Sequence, residues 1–408
     1  HSRSTGGLMH HLQILEEKGA DDFMSKFYVG YGHKSIGDCG SATLFIEGVS
    51  MLAAKAIQDT KLYNGQEAST RYIDFSKQAF INPLSTETGN TILEKQRSFY
   101  LQILEPLMED LKQKNPIQEG QIKSVYEKAI AAKAFDIARG FLPAGASTNL
   151  ARHSNLRQIA DRIGFLRHHP LQEVKNIAQA VQEAIMKKYP NSFSDKTYPD
   201  TENYTASFIE DYYYHNPEQD SSITITNRIN PKQLSKYKHI FDQRPNGKTE
   251  LPQFLHSLGE IDCEFALDFG SFRDVQRHRA LNQRMPLLTT ELGFHPRYIE
   301  NLPADIQEST KQCLSELEKE ISELGIDKYT SQYYIPMGYL TSNYFSGTLP
   351  ATIYMAELRA TRFVHPTLRE IAGQIALSIQ EQFKIPLFID ATPEKFDVKR
   401  GEHDIVIK

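Results

Sequence analysis

Apolar residues recur at helical spacing along most of this chain, and short β-branched runs interrupt them. Leu8–Lys18 has the spacing of a short amphipathic helix. Residues 42–47 (ATLFIE) form an apolar run that predicts a strand; Gly48 breaks it, and Ser50 suits the cap of a helix over residues 51–60. Pro83 and the Ser/Thr/Gly-rich stretch 85–90 then precede two long helical patterns, over 91–114 and 121–139. The second pattern stops at Gly140 and Leu142-Pro143. A further helix start falls near Ser154–Arg157, and His169-Pro170 opens another, with Val174, Ile177, Ala178, Val181 and Ile185 as its buried face.

Periodicity fades over 188–222, which is rich in Tyr, Pro, Asp, Asn and Ser. Beyond it the order of elements recurs. Cys263–Phe269 is strand-like, Phe272–Arg279 leads into a basic turn, and residues 304–324 have helical spacing. Gln332–Pro336 echoes the Leu-Pro break. Glu357-Leu358-Arg359 and His365-Pro366 echo Asn155-Leu156-Arg157 and His169-Pro170. The expectation is an α+β protein of two tandem repeats, each a small antiparallel or mixed sheet packed with long helices. The predicted domains are 1–190 and 223–408, joined by a linker over 191–222.

A length of 408 residues is long for one core and agrees with that division. Hydrophobic content of 40% with 24% charged residues is ordinary for a globular protein. A formal charge of −5 argues against a general nucleic-acid binder. Cys39, Cys263 and Cys313 have no metal-ligand spacing and make no disulfide framework, which fits a reducing, cytoplasmic setting. No apolar run approaches a membrane span.

Two stretches concentrate chemistry. In Gln66–Tyr72 (QEASTRY) a carboxylate, a hydroxyl and a guanidinium alternate as Glu67, Ser69 and Arg71. In an extended segment these share one face, an arrangement suited to an anionic ligand with a hydrogen-bonding ring. An ordinary polar hairpin edge has the same composition. In Gln276-Arg277-His278-Arg279, with Arg273 and Arg284 close in sequence, the charge suits a phosphate or an electron-rich ring. A solvated basic face paired with Asp268 and Asp274 is the plainer reading. Tyr212-Tyr213-Tyr214 has the chemistry to stack a base or to pack, and His295 stands either as a catalytic group or as a loop histidine before Pro296.

Several short motifs, in order, resemble the flavin-dependent (alternative) thymidylate synthases. They are Gly32-His33-Lys34-Ser35, Phe45–Ser50, Glu67-Ala68-Ser69-Thr70-Arg71-Tyr72, Ala138-Arg139-Gly140-Phe141-Leu142-Pro143, Asn155-Leu156-Arg157 and Glu173-Val174-Lys175. The first half departs from the family where its Arg-His-Arg should stand, having Asp59-Thr60-Lys61 instead. That motif survives as Arg277-His278-Arg279 in the second half, which in turn has Gln332 in place of the Arg of Ala-Arg-x-x-Leu-Pro.

The resemblance implies reductive methylation of dUMP, with methylenetetrahydrofolate giving the carbon and FAD reduced by NADPH giving the hydride. It also implies a tetramer with sites between subunits, which a fused pair would reproduce as a homodimeric pseudo-tetramer. Glu67, Ser69, Thr70, Arg71, Arg139, Lys175 and Arg277 are the implied substrate contacts, with Arg277, Ser69 and Arg71 closest to the chemistry. Ser4, His33, Ser35, Gln66, Asn155, Arg157, His278 and Arg279 are the implied flavin contacts. No metal is expected. The split of motifs leaves two alternatives: an inactive nucleotide- or flavin-binding homologue, and a methylase of another pyrimidine.

Overall fold

The computed structural model describes residues 5–19, 21, 34–70, 73–190, 193, 196–215, 223–399 and 401. In chain order the elements are α1 (Leu8–Lys18), β1 (Ser41–Ser50), α2 (Met51–Gln58), β2 (Asn64–Glu67), α3 (Glu87–Lys114), α4 (Lys123–Ala138) and β3 (Ser147–Asn155). Then come α5 (Leu156–Leu166), α6 (Gln172–Lys188), α7 (Pro199–Tyr213), β4 (Tyr214–His215), β5 (Thr224–Asn227), α8 (Pro231–Lys236) and α9 (Lys238–Gln243). The remainder is β6 (Glu260–Asp268), α10 (Phe269–Val275), β7 (Asn282–Gln283), β8 (Met285–Pro286), α11 (Pro296–Glu300), α12 (Ala304–Glu323), α13 (Lys328–Ser331), β9 (Leu340–Thr348), α14 (Leu349–Arg359) and α15 (Pro366–Phe383). This is an α+β architecture of small sheets and many helices.

Local chemistry explains the boundaries that matter for the site. Ser50 caps α2 by accepting from the Ala53 amide at 3.0 Å, as its sequence position predicts. Asp268 caps α10 in the same way through Ser271 N at 2.8 Å. Helix α3 begins at Glu87, four residues before the predicted start, because Thr86 accepts from Gly89 N at 3.2 Å and caps it there. Within 191–222, where the composition suggests a linker, Pro199–Tyr213 form a helix. His295 caps α11, its Nδ1 accepting from the Arg297 amide at 3.3 Å.

The chain forms two compact units, each assembled from separated stretches. The first comprises residues 1–46, 62–66 and 150–210. Its core gathers Leu156, Ile159 and Ile163 of α5, Ile185 of α6 and Phe193, with Ala42 and Leu44 packed against them. The second comprises 47–61, 67–149 and 211–408. There β6 and β9 pair antiparallel over their whole length, from Glu260 opposite Thr348 to Asp268 opposite Leu340, in a sheet of order β5-β6-β9-β7. Strands β1, β3 and β2 make a three-stranded sheet in the order β1-β3-β2.

One succession occurs twice. A 3-10 turn at Arg139–Phe141 leads to β3, α5 and α6, and a 3-10 turn at Gln332–Tyr334 leads to β9, α14 and α15. The two turns meet in the second unit through an antiparallel bridge between Pro143 and Pro336. Amides of Ala144 and Gly145 donate to carbonyls of Ile335 and Tyr333, and amides of Met337 and Gly338 donate to Leu142 and Gly140. Glu357-Leu358-Arg359 do not match Asn155-Leu156-Arg157 in place: they end α14, whereas Asn155 caps α5 from its start.

Candidate functional site

Strand β2 ends at Glu67, and this decides how the QEASTRY stretch is presented. The carboxylate turns inward, with its side chain only 5% exposed. Lys55 of α2 donates to Oε2 at 2.6 Å, Gln58 donates to the same oxygen at 2.8 Å, and Arg273 of α10 donates to Oε1 at 2.7 Å. Ser69 is exposed and Thr70 is buried, so the expected common face of Glu67 and Ser69 is not formed. The backbone leaves the strand after Glu67, and period-two alternation ends with it. Arg71 lies outside the described residues.

The Glu67 cluster is a buried triad of one acid between two bases. Burial alone would raise the carboxyl, but the Arg273 and Lys55 cations outweigh it and hold Glu67 down to about 2. Burial pushes Lys55 down to about 8 against the pull of Glu67, and the nearby Arg273 and Arg277 cations add to the lowering. Lys55 is 1% exposed, set among the apolar residues of the helix MLAAKAIQ. Gln276 ties the two helices further, donating to the Lys55 carbonyl at 3.0 Å.

The basic motif divides by environment. Arg277 is 65% exposed and lies 3.5 Å from Asp274. His278 is buried, its Nε2 accepting from Arg359 Nε at 2.8 Å, and burial with the Arg359 cation pushes it down to about 3. It is therefore neutral at neutral pH, with Nε2 taken by Arg359. Arg279 is exposed and lines a cleft of about 270 Å³ with Asp59, Thr60, Lys61, Tyr212 and Arg284. The stretch standing where Arg-His-Arg was expected and the surviving motif thus share one cleft. Tyr212 reaches it, whereas Tyr213 is fully buried and Tyr214 stacks on Tyr329 at 5.1 Å.

The other expected contacts lie elsewhere. Arg139 is half-buried beside Asp136 at 3.9 Å. Gln332 is buried too, accepting from Leu288 N at 3.1 Å and donating to Tyr214 Oη at 3.2 Å. In the first unit Asp38 accepts from Asn155 at 3.2 Å and from Arg157 at 2.7 Å, while Asn155 also caps α5. Lys175 is half-buried on α6 and Gln66 is exposed. Ser4 and His33 lie outside the described residues. Ser35 falls in a 3-10 turn, Lys34–Cys39, and its side chain lies outside the described atoms.

Lys55 escaped the sequence reading because it looks like an ordinary helix residue, and Arg273 stood there only as added charge beside the basic motif. One signal was available: a lysine set among six apolar neighbours in MLAAKAI has no reason to be there without a buried partner.

A family model described as thymidylate synthase complementing protein matches residues 3–191. Over that first half the chain is similar to that family. Two chlamydial proteins called UPF0159 protein are similar over most of the chain. The one from Chlamydia muridarum is 25% identical over 88% of this chain and 78% of its own, and the one from Chlamydia pneumoniae is 24% identical over 86% and 77%. A UPF0159 protein of Thermoplasma acidophilum is 23% identical over 87% of this chain and 85% of its own. Coverage of that extent reaches well past residue 191, so the second half is shared with these relatives as well.

Three of the flavin contacts implied by the family resemblance, His278, Asn155 and Arg157, already have protein partners within their own unit. His278 is committed to Arg359, and Asp38 sets a carboxylate against Asn155 and Arg157, where a flavin's diphosphate would need cations. The cleft beside Arg279 is below the usual range of about 300–1,000 Å³ for small-molecule sites, so it suits part of a mononucleotide better than a dinucleotide. Three cations against one acid, Lys61, Arg279 and Arg284 with Asp59, favour an anion there. Among the described residues no group of His, Cys, Asp and Glu is arranged to hold a metal, and no helix is long and apolar enough to cross a membrane.

Proposed function

We propose that this protein is a thymidylate synthase of the flavin-dependent kind, built as a tandem duplication, that methylates dUMP reductively. Methylenetetrahydrofolate would give the carbon and NADPH-reduced FAD the hydride. The observation that carries this reading is the contact of Arg273 with Glu67. It sets the helix leading into the basic motif of the second half against the QEASTRY stretch of the first. Lys55 and Arg273 hold the same place after their helix caps, as do Gln58 and Gln276, and both pairs act at this one junction. That correspondence supports duplication.

The substrate groups in this reading are the exposed Ser69, Arg277 and Arg279, with Arg71 supplying the family's second guanidinium. Their part is to bind and orient a nucleotide and to stabilise charge on its ring oxygens. The flavin contacts would be completed by a second copy of the chain, in a homodimer with the valence of four repeats. Purified protein given FAD, NADPH and dUMP tests the reading: NADPH oxidation should depend on dUMP, and dTMP should appear when methylenetetrahydrofolate is added. Oxidation stimulated by a different pyrimidine nucleotide alone would reassign the substrate.

One observation favours a second reading, a nucleotide-binding homologue without turnover. Glu67 already accepts from three donors, and His278 is locked, so two groups expected to meet ligands serve structure instead. Tight dUMP binding with no flavin-dependent turnover at any substrate concentration would select it.

A further inference from the structure

Helices α3 and α12 pack against each other in the second unit, and between them lies a groove of about 600 Å³. Half-buried Phe99 of α3 gives it an aromatic surface, and the edges of Leu314, Leu317 and Pro336 complete an apolar floor. Phe141 stands edge-on to Phe99 at 5.3 Å and holds that ring in place. Gln96, 5% exposed, lines the same groove. Its Nε2 donates to the Tyr334 carbonyl at 2.8 Å, while its Oε1 has no partner among the described residues.

The rim has the opposite chemistry. Glu87 and Glu94 stand on α3 and Glu316 and Glu320 on α12, against one lining cation, Lys95. Arg97 pairs with Glu94 at 2.8 Å, so four carboxylates still face only two cations. Lys95 reaches from α3 to Glu320 on α12. Its ammonium is raised by that bond first, and Glu316 adds to the raising. The carboxylates one turn apart on α12 thus already seat an ammonium. Cys313 is exposed on the same helix wall, and burial, then Glu316 and Glu320, push its thiol up.

We propose that this groove is a binding site for a small cationic amphiphile, a protonated amine carried on an apolar body. The body lies on Phe99 and the leucine edges, and the ammonium joins Glu316 and Glu320. An N–H donor in the groove also gives Gln96 Oε1 the partner it lacks. A groove of about 600 Å³ lies in the range of small-molecule pockets, with room for more than a bare amine. The excess of carboxylates repels anions. Nucleotide, folate and flavin are all anions, so neither the residues nor the ligand class of this groove overlap with the reaction proposed above.

The test is calorimetric titration of the full chain with three probes: phenylbutylamine, phenylbutyrate and putrescine. The first should bind saturably. Phenylbutyrate, with the same body and the opposite charge, and putrescine, with the charge and no ring, should each bind at least about tenfold more weakly, near 1.4 kcal/mol. The double substitution Glu316→Gln with Glu320→Gln should weaken phenylbutylamine by about tenfold, in protein whose urea midpoint matches the wild type. Cys313 reports the location, since Cys263 is buried and Cys39→Ser removes the other exposed thiol. In Cys39→Ser protein, saturating phenylbutylamine should slow its reaction with N-phenylmaleimide several-fold, and the capped protein should no longer bind the amine. Absence of saturable phenylbutylamine binding to the wild type overturns the site. Phenylbutyrate or putrescine binding as tightly as phenylbutylamine overturns the ligand class, and an unchanged Cys313 rate at saturation overturns the location. None of these readouts depends on dUMP or on turnover.

Discussion

Arg273 donates to Glu67 at 2.7 Å across 206 residues of chain, and Lys55 grips the same carboxylate from the other side. Removing one partner from a buried ion triad leaves uncompensated charge, which costs about 3–5 kcal/mol when the pair is fully enclosed. Arg273→Ala should therefore lower stability by several kcal/mol, read as a shift in the urea midpoint. Arg273→Met should cost as much, because the loss is of charge and not of volume. A midpoint unchanged in both would show that the contact contributes nothing.

The same carboxylate sets an acid limb. Its native value, about 2, lies below the ordinary value of 4.5, so its stabilising contribution is complete above pH 4.5. That contribution is lost as pH falls through 4.5 toward 2. A shift of this size corresponds to about 3 kcal/mol. Stability measured against pH should fall across that window, and Glu67→Gln, destabilised throughout, should show a shallower fall.

Arg277 behaves differently from its neighbour four residues earlier. With 65% of its side chain exposed and an ion pair at 3.5 Å, Arg277→Ala should change stability by less than about 0.5 kcal/mol. Under the proposed function the same variant should lose nucleotide-dependent NADPH oxidation by a hundredfold or more. Stability retained with activity lost would mark a ligand contact; stability and activity both retained would remove Arg277 from the site.

His278 is neutral through burial first and the Arg359 cation second. Arg359→Ala deletes only the second cause. The His278 value should rise from about 3 toward the ordinary 6.5 and stop short of it, which a ring-carbon NMR titration would read. No movement on removing Arg359 would mean that burial alone sets it.

Much of this was legible in order along the chain, because caps and breakers act locally. Leu8–Lys18, the Ser50 cap and the Leu-Pro break after Arg139 stand where their residues place them. The helix Pro199–Tyr213 was not legible, since its polar and aromatic residues show little periodicity and its order comes from packing. The site was half legible. Charge density identified the two stretches, but it did not show which guanidinium turns inward. Arg273 and Arg277 lie one helical turn apart, and the chain direction beyond α10 decides that Arg273 meets Glu67 while Arg277 faces water.

The turns at Pro143 and Pro336 have a bearing on synthesis. Four backbone hydrogen bonds join residues 140–145 to residues 333–338, and a Cβ at Gly145 would strike the Tyr333 carbonyl at 2.6 Å. Nearly two hundred residues must leave the ribosome before the earlier turn finds its partner, and closing so long a loop is slow. During that interval the part of α3 that packs against Gln332–Tyr334 and α12 has nothing to cover it. A nascent chain of this kind makes a natural client for a holding chaperone, and rare codons between the two turns would prolong its exposure.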